Sequence, residues 1–306
     1  MIRRVAAAMI ALLIPIAIPA TGSSTSIPGE PTILGAPAQA ASQSAIPPGL
    51  AVSGNLRAFI DLLDSLECRA DLPALRSSAG SEERGVHARG LAAANGDSLV
   101  ALMMQPFPKT APSMLLGYHL GRWPTRGLAA QDPRYLPPSG FIAVTPENAR
   151  TMVSKRFHLG DFLTHDQQQV WPKVLVLSPA LLEKLELIGD ALERRGLSSS
   201  IHVMSGFRTP QYNALGVGAK GGRASESRHM YGDAADIFVD ADGDGVMDDL
   251  DGDGRITKHD AEVLFDVAEG VEAAHPELVG GLSAYAATAA HGPFVHVDVR
   301  GKRARW

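Results

Sequence analysis

The stretch Ser227–Asp236, SRHMYGDAAD, constrains the fold of this chain most, because it sets a histidine and an aspartate seven residues apart. This spacing is not the i, i+4 spacing of two metal ligands on one helix. His229 and Asp236 must therefore lie on separate turns or strands. Gly232 allows the chain to reverse between them, and the small residues after it let backbone pass close by. The stretch predicts that the two side chains converge.

A third side chain for such a site comes from the C-terminal segment PFVHVDV. A catalytic zinc usually takes three protein ligands from His and carboxylate side chains. Cys68 is the only cysteine, so the fold holds without an internal disulfide and a metal site would not use thiolates. The alternating pattern puts His296 and Asp298 on one face of a strand, and His296 could complete the site. From the residues alone, a loop histidine at 229 and a structural His296–Asp298 pair remain the alternative.

The N-terminus, MIRRVAAAMIALLIPIAIPATGSS, joins two arginines to an apolar run and then small residues. This pattern predicts a secretory signal peptide over residues 1–22, with an uncleaved membrane anchor as the alternative. Residues 23–50 are rich in Pro, Ala and Ser and predict a linker. We therefore expect a periplasmic or secreted protein without stable membrane insertion after signal cleavage. The net charge of −5 gives no support for a nucleic-acid partner.

The remaining chain is predicted to form two units. Residues 51–150 contain a helical pattern in RAFIDLLDSLE, a buried strand in SLVALMMQPF and short apolar runs punctuated by Gly and Pro, which indicate a small β-rich N-terminal α/β unit of unknown role. In residues 151–306, the helix SPALLEKLELIGDALERRG, with Ser178 as N-cap, precedes the strand SIHVMSGFR. A second helix, DAEVLFDVAEGVEAA, precedes the strand GPFVHVDVRG. This order predicts an α+β domain with a central antiparallel sheet flanked by helices.

Three motifs in this second unit resemble those of one family. SRHMYGDAAD matches S-x-H-x-x-G-x-A-x-D, the zinc signature of the D-alanyl-D-alanine carboxypeptidases and dipeptidases related to VanX and VanY. SGFRTPQYN, and FVHVDVRG with the final RW, resemble the branch that includes the murein endopeptidase MepK. The likeness extends over roughly residues 154–306, and the motifs occur in the family's order. The resemblance implies a zinc peptidase domain, and its Zn²⁺ ligands would be His229, Asp236 and His296.

The same resemblance implies roles for the residues around the metal. Arg208 would bind a substrate carboxylate or a polarised carbonyl, a task that suits its planar guanidinium. His291, five residues before the last ligand, would stabilise the oxyanion or move a proton. Pro293 stands where VanX-like members have a glutamate, so the motif does not identify the general base. Asp298 would act as a partner that orients a ligand.

The resemblance also implies an activity and a substrate. A zinc-activated water would hydrolyse an amide bond near a D-amino acid or a diaminopimelate cross-link in peptidoglycan peptide stems. Both a carboxypeptidase and an endopeptidase fit this reading. Two alternatives from other classes stay open: a non-catalytic metal-bearing module that binds cell wall or protein, and a calcium-dependent adhesion or scaffold protein.

The stretch 240–260, DADGDGVMDDLDGDGRITKHD, is an acidic insertion with two overlapping calcium-loop patterns. The second resembles a dockerin EF-hand loop, with Gly254 at its sharp turn and ligands Asp249, Asp251, Asp253, the Arg255 carbonyl, Thr257 and Asp260. The first resembles the repeats of thrombospondin, with Asp240, Asp242, Asp244, Asp248 and Asp251. Because these carboxylates repel one another unless a cation screens them, we expect structural Ca²⁺ that folds the insertion and shapes one wall of the cleft.

Overall fold

The computed structural model describes residues 9–16, 51–54, 90–92, 98–108, 113–218 and 221–306. Within these ranges the strands form three sheets, and the longer helices flank one of them. The strands are β1 (Met9–Ile16), β2 (Ala51–Gly54), β3 (Gly90–Ala92), β4 (Ser98–Pro106), β5 (Met114–Leu115), β6 (Tyr118–His119), β7 (Gly140–Val144), β8 (Lys173–Leu175), β9 (Ile201–Ser205), β10 (Ala234–Val239), β11 (Gly281–Tyr285), β12 (Phe294–Asp298) and β13 (Ala304–Arg305). The helices are α1 (Pro179–Arg194), α2 (Pro210–Ala214) and α3 (Lys258–Ala274).

The C-terminal sheet has five strands in the order β13-β11-β12-β10-β9. Its central pairs, β11–β12, β12–β10 and β10–β9, are antiparallel, and the short edge strand β13 joins parallel to β11. A bulge between Asp236 and Ile237 shifts the register of β10 against β9. The predicted α+β class, with a central antiparallel sheet and flanking helices, is confirmed.

One hydrophobic core joins α1 and α3 to this sheet. Leu185 of α1, Leu264 of α3 and Val295 of β12 are all fully buried members of the same cluster. Because side chains alternate along a strand, burial of Val295 and Val297 in this core leaves His296 on the other face of β12. The apolar pattern of the helices and of β12 therefore decides which face of the sheet carries the polar residues.

Helix α1 begins and ends close to the predicted positions. Ser178 has the extended backbone of an N-cap and Pro179 is the first helical residue. Gly196 follows the helix with φ of +74°, a conformation that glycine adopts without strain. The Ser178 hydroxyl, however, makes no capping hydrogen bond, so the predicted capping interaction is absent although the predicted boundary is correct.

The strands nearer the N-terminus form a second sheet in the order β2-β1-β4-β7-β8, with β3 paired to β4. The predicted strand SLVALMMQPF corresponds to β4. Strand β8 lies beyond residue 150 and pairs with β7, and Ile142 of β7 belongs to the core that contains α1. The sheet and the core are thus both continuous across residues 150 and 151.

The predictions for the N-terminal segments have different outcomes. The expected helix over residues 56–66 and the linker over residues 23–50 lie outside the described residues. Strand β1 falls inside the predicted signal peptide and pairs with β2 and β4, and removal of that peptide remains a prediction. None of the helices in the described ranges is long and apolar enough to cross a membrane.

Candidate metal centre

Two adjacent strands bring the distant residues of the candidate site together. Asp236 of β10 and His296 of β12 are directly opposite each other in the antiparallel register. Ser205 of β9 lies opposite Asp236 and Ser283 of β11 lies opposite His296. These four polar residues form one row across the sheet. Asp236 and His296 are both buried.

The third residue, His229, comes from the 3₁₀ turn Arg228–Tyr231, just before β10. Gly232 ends this turn with φ of +71°, and a Cβ atom there would lie 2.3 Å from the carbonyl oxygen of Val176. Only glycine satisfies both the conformation and the close approach. This is the chain reversal that the spacing of SRHMYGDAAD predicts, and it delivers the His229 side chain to the row on the sheet.

The three side chains converge through one atom each. His229 Nε2 lies 3.2 Å from His296 Nδ1 and 3.2 Å from Asp236 Oδ1. His296 Nδ1 lies 2.9 Å from the same Asp236 oxygen. Ligands at about 2.0–2.1 Å from a tetrahedral zinc are about 3.3–3.4 Å apart, so this triangle is close to the size that one zinc ion requires. The group is one that could hold a metal ion.

In each imidazole ring, the outer nitrogen, which faces away from the triangle, has a hydrogen-bond partner of its own. That partner determines whether the inner nitrogen, which faces the triangle, carries a lone pair. His229 Nδ1 lies 2.7 Å from the carbonyl oxygen of Gly206, and His296 Nε2 lies 3.1 Å from Asp298 Oδ2. Because these oxygens accept, both outer nitrogens donate, and the inner nitrogens present lone pairs to each other and to Asp236. Such a set repels itself unless a cation or a proton lies within it. The donor set and its orientation fit a zinc ion.

Neighbouring charges and burial shift the pKa values of the three groups in different directions. Burial lowers the pKa of His229 below its ordinary value. Burial alone would raise the pKa of Asp236, but His229, His296 and Arg208 hold that pKa well below its ordinary value. For His296, hydrogen bonds to Asp236 and Asp298 outweigh burial and raise the pKa. These directions favour the neutral form of His229, the ionised form of Asp236 and the protonated form of His296, and a metal ion would have to displace the proton of His296.

Two arginines support the carboxylates of the centre. Arg208 contacts Asp236 Oδ2 through Nη2 and donates from Nε to Ser205 Oγ at 2.9 Å. Arg300 donates from Nε to both oxygens of Asp298, at 2.9 Å each. Asp298 also accepts from the backbone N–H of Gly281 at 2.8 Å. The structure places Asp298 where it can orient His296, and it places Arg208 directly beside the carboxylate of Asp236.

His291 lies on the turn before β12 but outside the triangle of ligand atoms. Its Nδ1 lies 2.8 Å from the carbonyl oxygen of Gly292, and its ring meets Phe294 edge to face, with centroids 4.9 Å apart. Its proposed role in catalysis therefore depends on reaching a bound substrate rather than on contact with the ligands.

Sequence reasoning did not include Trp306 among the residues of the site. The Trp306 indole is 57% exposed, yet its ring centroid is only 5.3 Å from that of His296. Its Nε1 donates to the Tyr285 hydroxyl at 2.5 Å, and Ser283 Oγ contacts its backbone carbonyl. The final RW of the sequence was the available signal, but only the structure shows that the last residue borders the centre.

The acidic insertion forms two similar loops nine residues apart. In each loop the first aspartate accepts from the glycines three and five residues later: Asp240 from Gly243 (2.6 Å) and Gly245 (2.9 Å), and Asp249 from Gly252 (2.8 Å) and Gly254 (2.7 Å). The structure brings two triplets of carboxylates together, Asp240 with Asp242 and Asp248, and Asp249 with Asp251 and Asp260.

The other predicted calcium ligands are outside these triplets. Asp244 and Asp253 accept from backbone N–H groups two residues later, at 2.8 Å each. Arg255 enters the second loop as the donor to Asp253. Thr257 is the N-cap of α3, and Asp260 completes a capping box with it. The second loop therefore leads directly into the start of a helix, as a calcium loop of the EF-hand type does.

Comparison with known proteins gives one match. Residues 158–244 match the family model of the peptidoglycan L,D-endopeptidase MepK. The matched segment contains Arg208, His229 and Asp236 and ends before His296. No curated protein and no solved structure matches the chain.

Proposed function

Because residues 158–244 match the family model of the peptidoglycan L,D-endopeptidase MepK, we propose that the chain is a member of that family and a zinc-dependent peptidase that hydrolyses peptidoglycan stem peptides. The observation that carries the proposal is the convergence of His229, Asp236 and His296, with both outer imidazole nitrogens already bonded. We also propose that the protein acts outside the cytoplasm, where cell-wall substrate lies and where the N-terminal leader would send it.

Each side chain around the candidate centre has a separate proposed role. His229, Asp236 and His296 would hold a zinc ion, which would supply the Lewis acidity that activates water and polarises the scissile carbonyl. Asp298 keeps the His296 ring in position, and Gly206 does the same for His229. Arg208 supports Asp236 and is proposed to bind a substrate carboxylate or the polarised carbonyl. His291 is proposed to stabilise the oxyanion or to move a proton to the leaving amine.

The bond that is cleaved defines two versions of this proposal. An endopeptidase would cleave within a cross-linked stem, near diaminopimelate, in keeping with the activity in the name of the matched family. A carboxypeptidase would release a terminal D-amino acid. We favour the endopeptidase, because the motifs FVHVDVRG and SGFRTPQYN are nearest to the MepK branch.

Product analysis by mass spectrometry tests the proposal. Purified muropeptides are incubated with the chain that begins after residue 22, either zinc-loaded or treated with a chelator. We expect products only from the zinc-loaded protein, with cross-linked dimers split into monomers. Release of free D-alanine without splitting would identify a carboxypeptidase. If the zinc-loaded protein leaves every muropeptide intact, the proposed peptidase activity is wrong.

One observation favours a second candidate, a metal-bearing module that binds stem peptides without cleaving them. Pro293 occupies the position of the glutamate found in VanX-like members, and His291 is the remaining candidate for proton transfer on that turn. The same assay separates the candidates, because a binding module retains zinc and shifts the muropeptide signals in a binding measurement but forms no product.

We further propose that Ca²⁺ binds both loops of the acidic insertion. The carboxylate triplets provide the oxygen ligands that calcium prefers. The insertion is also tied to the rest of the domain, because Met247 and Leu250 are buried in the main core. Val246 lies beside Gly292, since a Cβ atom there would be 3.2 Å from Val246 Cγ1. Calcium would thus stabilise the turn that carries His291.

A calcium titration of thermal stability tests this second proposal. At a calcium concentration about 100 times the dissociation constant, one site contributes about 2.7 kcal/mol to the free energy of unfolding. We expect calcium to raise the melting temperature of the wild type and to raise it less in Asp249→Asn. Asp266→Asn, which changes an exposed acid on α3, is the matched control. Melting temperatures that do not respond to calcium would contradict the proposal.

A further inference from the structure

The loop between Arg208 and His229 borders the candidate metal centre at both ends. The Arg208 backbone N–H donates to the His229 carbonyl oxygen at 3.1 Å, so the two ends of the loop meet. The described part of the loop, residues 209–218 and 221–228, begins with the short helix α2. Both ends of this loop therefore lie at the candidate centre.

Arg223 is held in one conformation within this loop. Its Nη1 donates to the Tyr212 carbonyl oxygen at 2.6 Å, and its guanidinium carbon lies 4.3 Å from the centre of the Tyr212 ring. Its side chain also packs against Gly216, where a Cβ atom would come within 2.6 Å of Arg223 Nε. The Arg223 backbone N–H donates to the Gly216 carbonyl oxygen at 2.9 Å. A guanidinium ordered in this way loses little entropy when it binds a ligand.

The other arginines near the centre already have carboxylate partners. Arg208 pairs with Asp236, and Arg300 pairs with Asp298. Within the part of the chain that the structure describes, Arg223 forms no salt bridge, and it is half-buried rather than solvated. Neighbouring residues 219 and 220 are Ala and Lys and bring no carboxylate.

Hydrogen bonds tie Arg223 to the segment that follows Arg208. The Tyr212 carbonyl oxygen accepts from Arg223, and the Tyr212 backbone N–H donates at 3.1 Å to Oγ1 of Thr209, the residue next to Arg208. These contacts hold the stacked Tyr212–Arg223 pair close to Arg208. A carboxylate bound there would meet two guanidinium groups.

We propose that Arg223 binds a free carboxylate of the peptide substrate and makes the site selective for anionic over amidated peptides. This inference rests on the proposed function and specifies its substrate class. Two carboxylates of a stem peptide offer the same chemistry, the C-terminal one and the free one of diaminopimelate. The planar guanidinium suits either, because it donates two parallel hydrogen bonds to a carboxylate.

The test compares three peptides on wild-type protein and on Arg223→Gln. One stem peptide keeps both carboxylates, one is amidated at the C-terminus, and one is amidated at diaminopimelate. We expect wild type to prefer the unmodified peptide over one amidated peptide by about 10- to 100-fold in kcat/KM, which identifies the bound carboxylate. In Arg223→Gln that preference disappears, while the rate on the same amidated peptide is retained. Arg223→Lys is expected to keep part of the wild-type preference for the unmodified peptide.

Two further measurements keep the inference separate from the proposed activity. Arg150→Gln removes an exposed arginine elsewhere on the surface and should leave the preference unchanged. Binding of the three peptides by zinc-loaded protein is measured by calorimetry under conditions without turnover. If the protein cleaves nothing but Arg223→Gln still abolishes a binding preference for the carboxylate, the peptidase proposal is wrong and the Arg223 proposal stands. The proposed role of Arg223 is wrong if Arg223→Gln lowers kcat/KM equally on all three peptides. It is also wrong if the wild type shows no preference among them.

Discussion

His229→Ala is expected to abolish zinc binding at the candidate centre and to lower kcat/KM for muropeptide cleavage by roughly three orders of magnitude or more. The variant removes one of the three converging ligand atoms, and it also removes the hydrogen bond from Nδ1 to Gly206. Two remaining ligands leave the metal with too few protein contacts for a catalytic site. This loss should exceed the effect of any change to a residue that only orients a ligand, which is typically about 10- to 100-fold.

The measurement combines zinc content, cleavage rate and folding. Elemental analysis after dialysis reports bound zinc, and circular dichroism reports whether the variant remains folded. His119→Ala is the matched control, because His119 is exposed on the short strand β6 and lies outside the metal-binding group. A folded His229→Ala variant that retains one zinc per chain and the wild-type rate would exclude this centre as the site of catalysis.

The residues of the candidate metal centre could be singled out because their signal is local, whereas the geometry that joins them could not be predicted. The alternation in PFVHVDV placed His296 and Asp298 on one face, and Gly232 marked the reversal after His229. The contact between Asp236 and His296, however, joins residues 60 positions apart. It depends on the register between β10 and β12, which the packing of both strands on the core decides.

The environment of the charged residues was harder to predict than their presence. The resemblance gave Arg208 a substrate role, whereas the structure shows its guanidinium bonded to Asp236 and Ser205. No local pattern reveals such a contact, because the partner of Arg208 lies on a neighbouring strand. Arg300 differs from Arg208, because its partner Asp298 is only two residues away in the sequence, and its bonds to Asp298 support the carboxylate that contacts His296.

Lys184 shows most clearly where pattern reasoning fails. The apolar positions of α1 predict one buried face, and a lysine on that helix is expected to reach solvent. Lys184 is instead fully buried. Its Nζ lies 2.5 Å from Glu272 Oε1 on α3 and 2.7 Å from the carbonyl oxygen of Asp298 on β12. This one side chain ties both helices to the strand that carries His296.

Lys184→Met is therefore expected to lower the free energy of unfolding by about 1–3 kcal/mol, because it removes the ammonium from Glu272 and from the Asp298 carbonyl oxygen, whereas Arg305 still pairs with the Glu272 carboxylate. Burial lowers the pKa of Lys184, and the Glu272 carboxylate counteracts that effect. At about 2–4 °C per kcal/mol, the melting temperature should fall by roughly 2–12 °C. Thermal unfolding in the presence of a chelator measures this without a contribution from bound metal.

Two further variants test whether the loss of stability comes from breaking the buried pair or from removing a lysine as such. Lys258→Met removes an exposed lysine that pairs with Glu262 on the first turns of α3, and it should change stability by no more than about 0.5 kcal/mol. Lys184→Met combined with Glu272→Gln removes both charges, and we expect it to recover part of the loss, because replacing a buried pair costs less than breaking it. If Lys184→Met is as stable as wild type, the pair does not hold α1, α3 and β12 together.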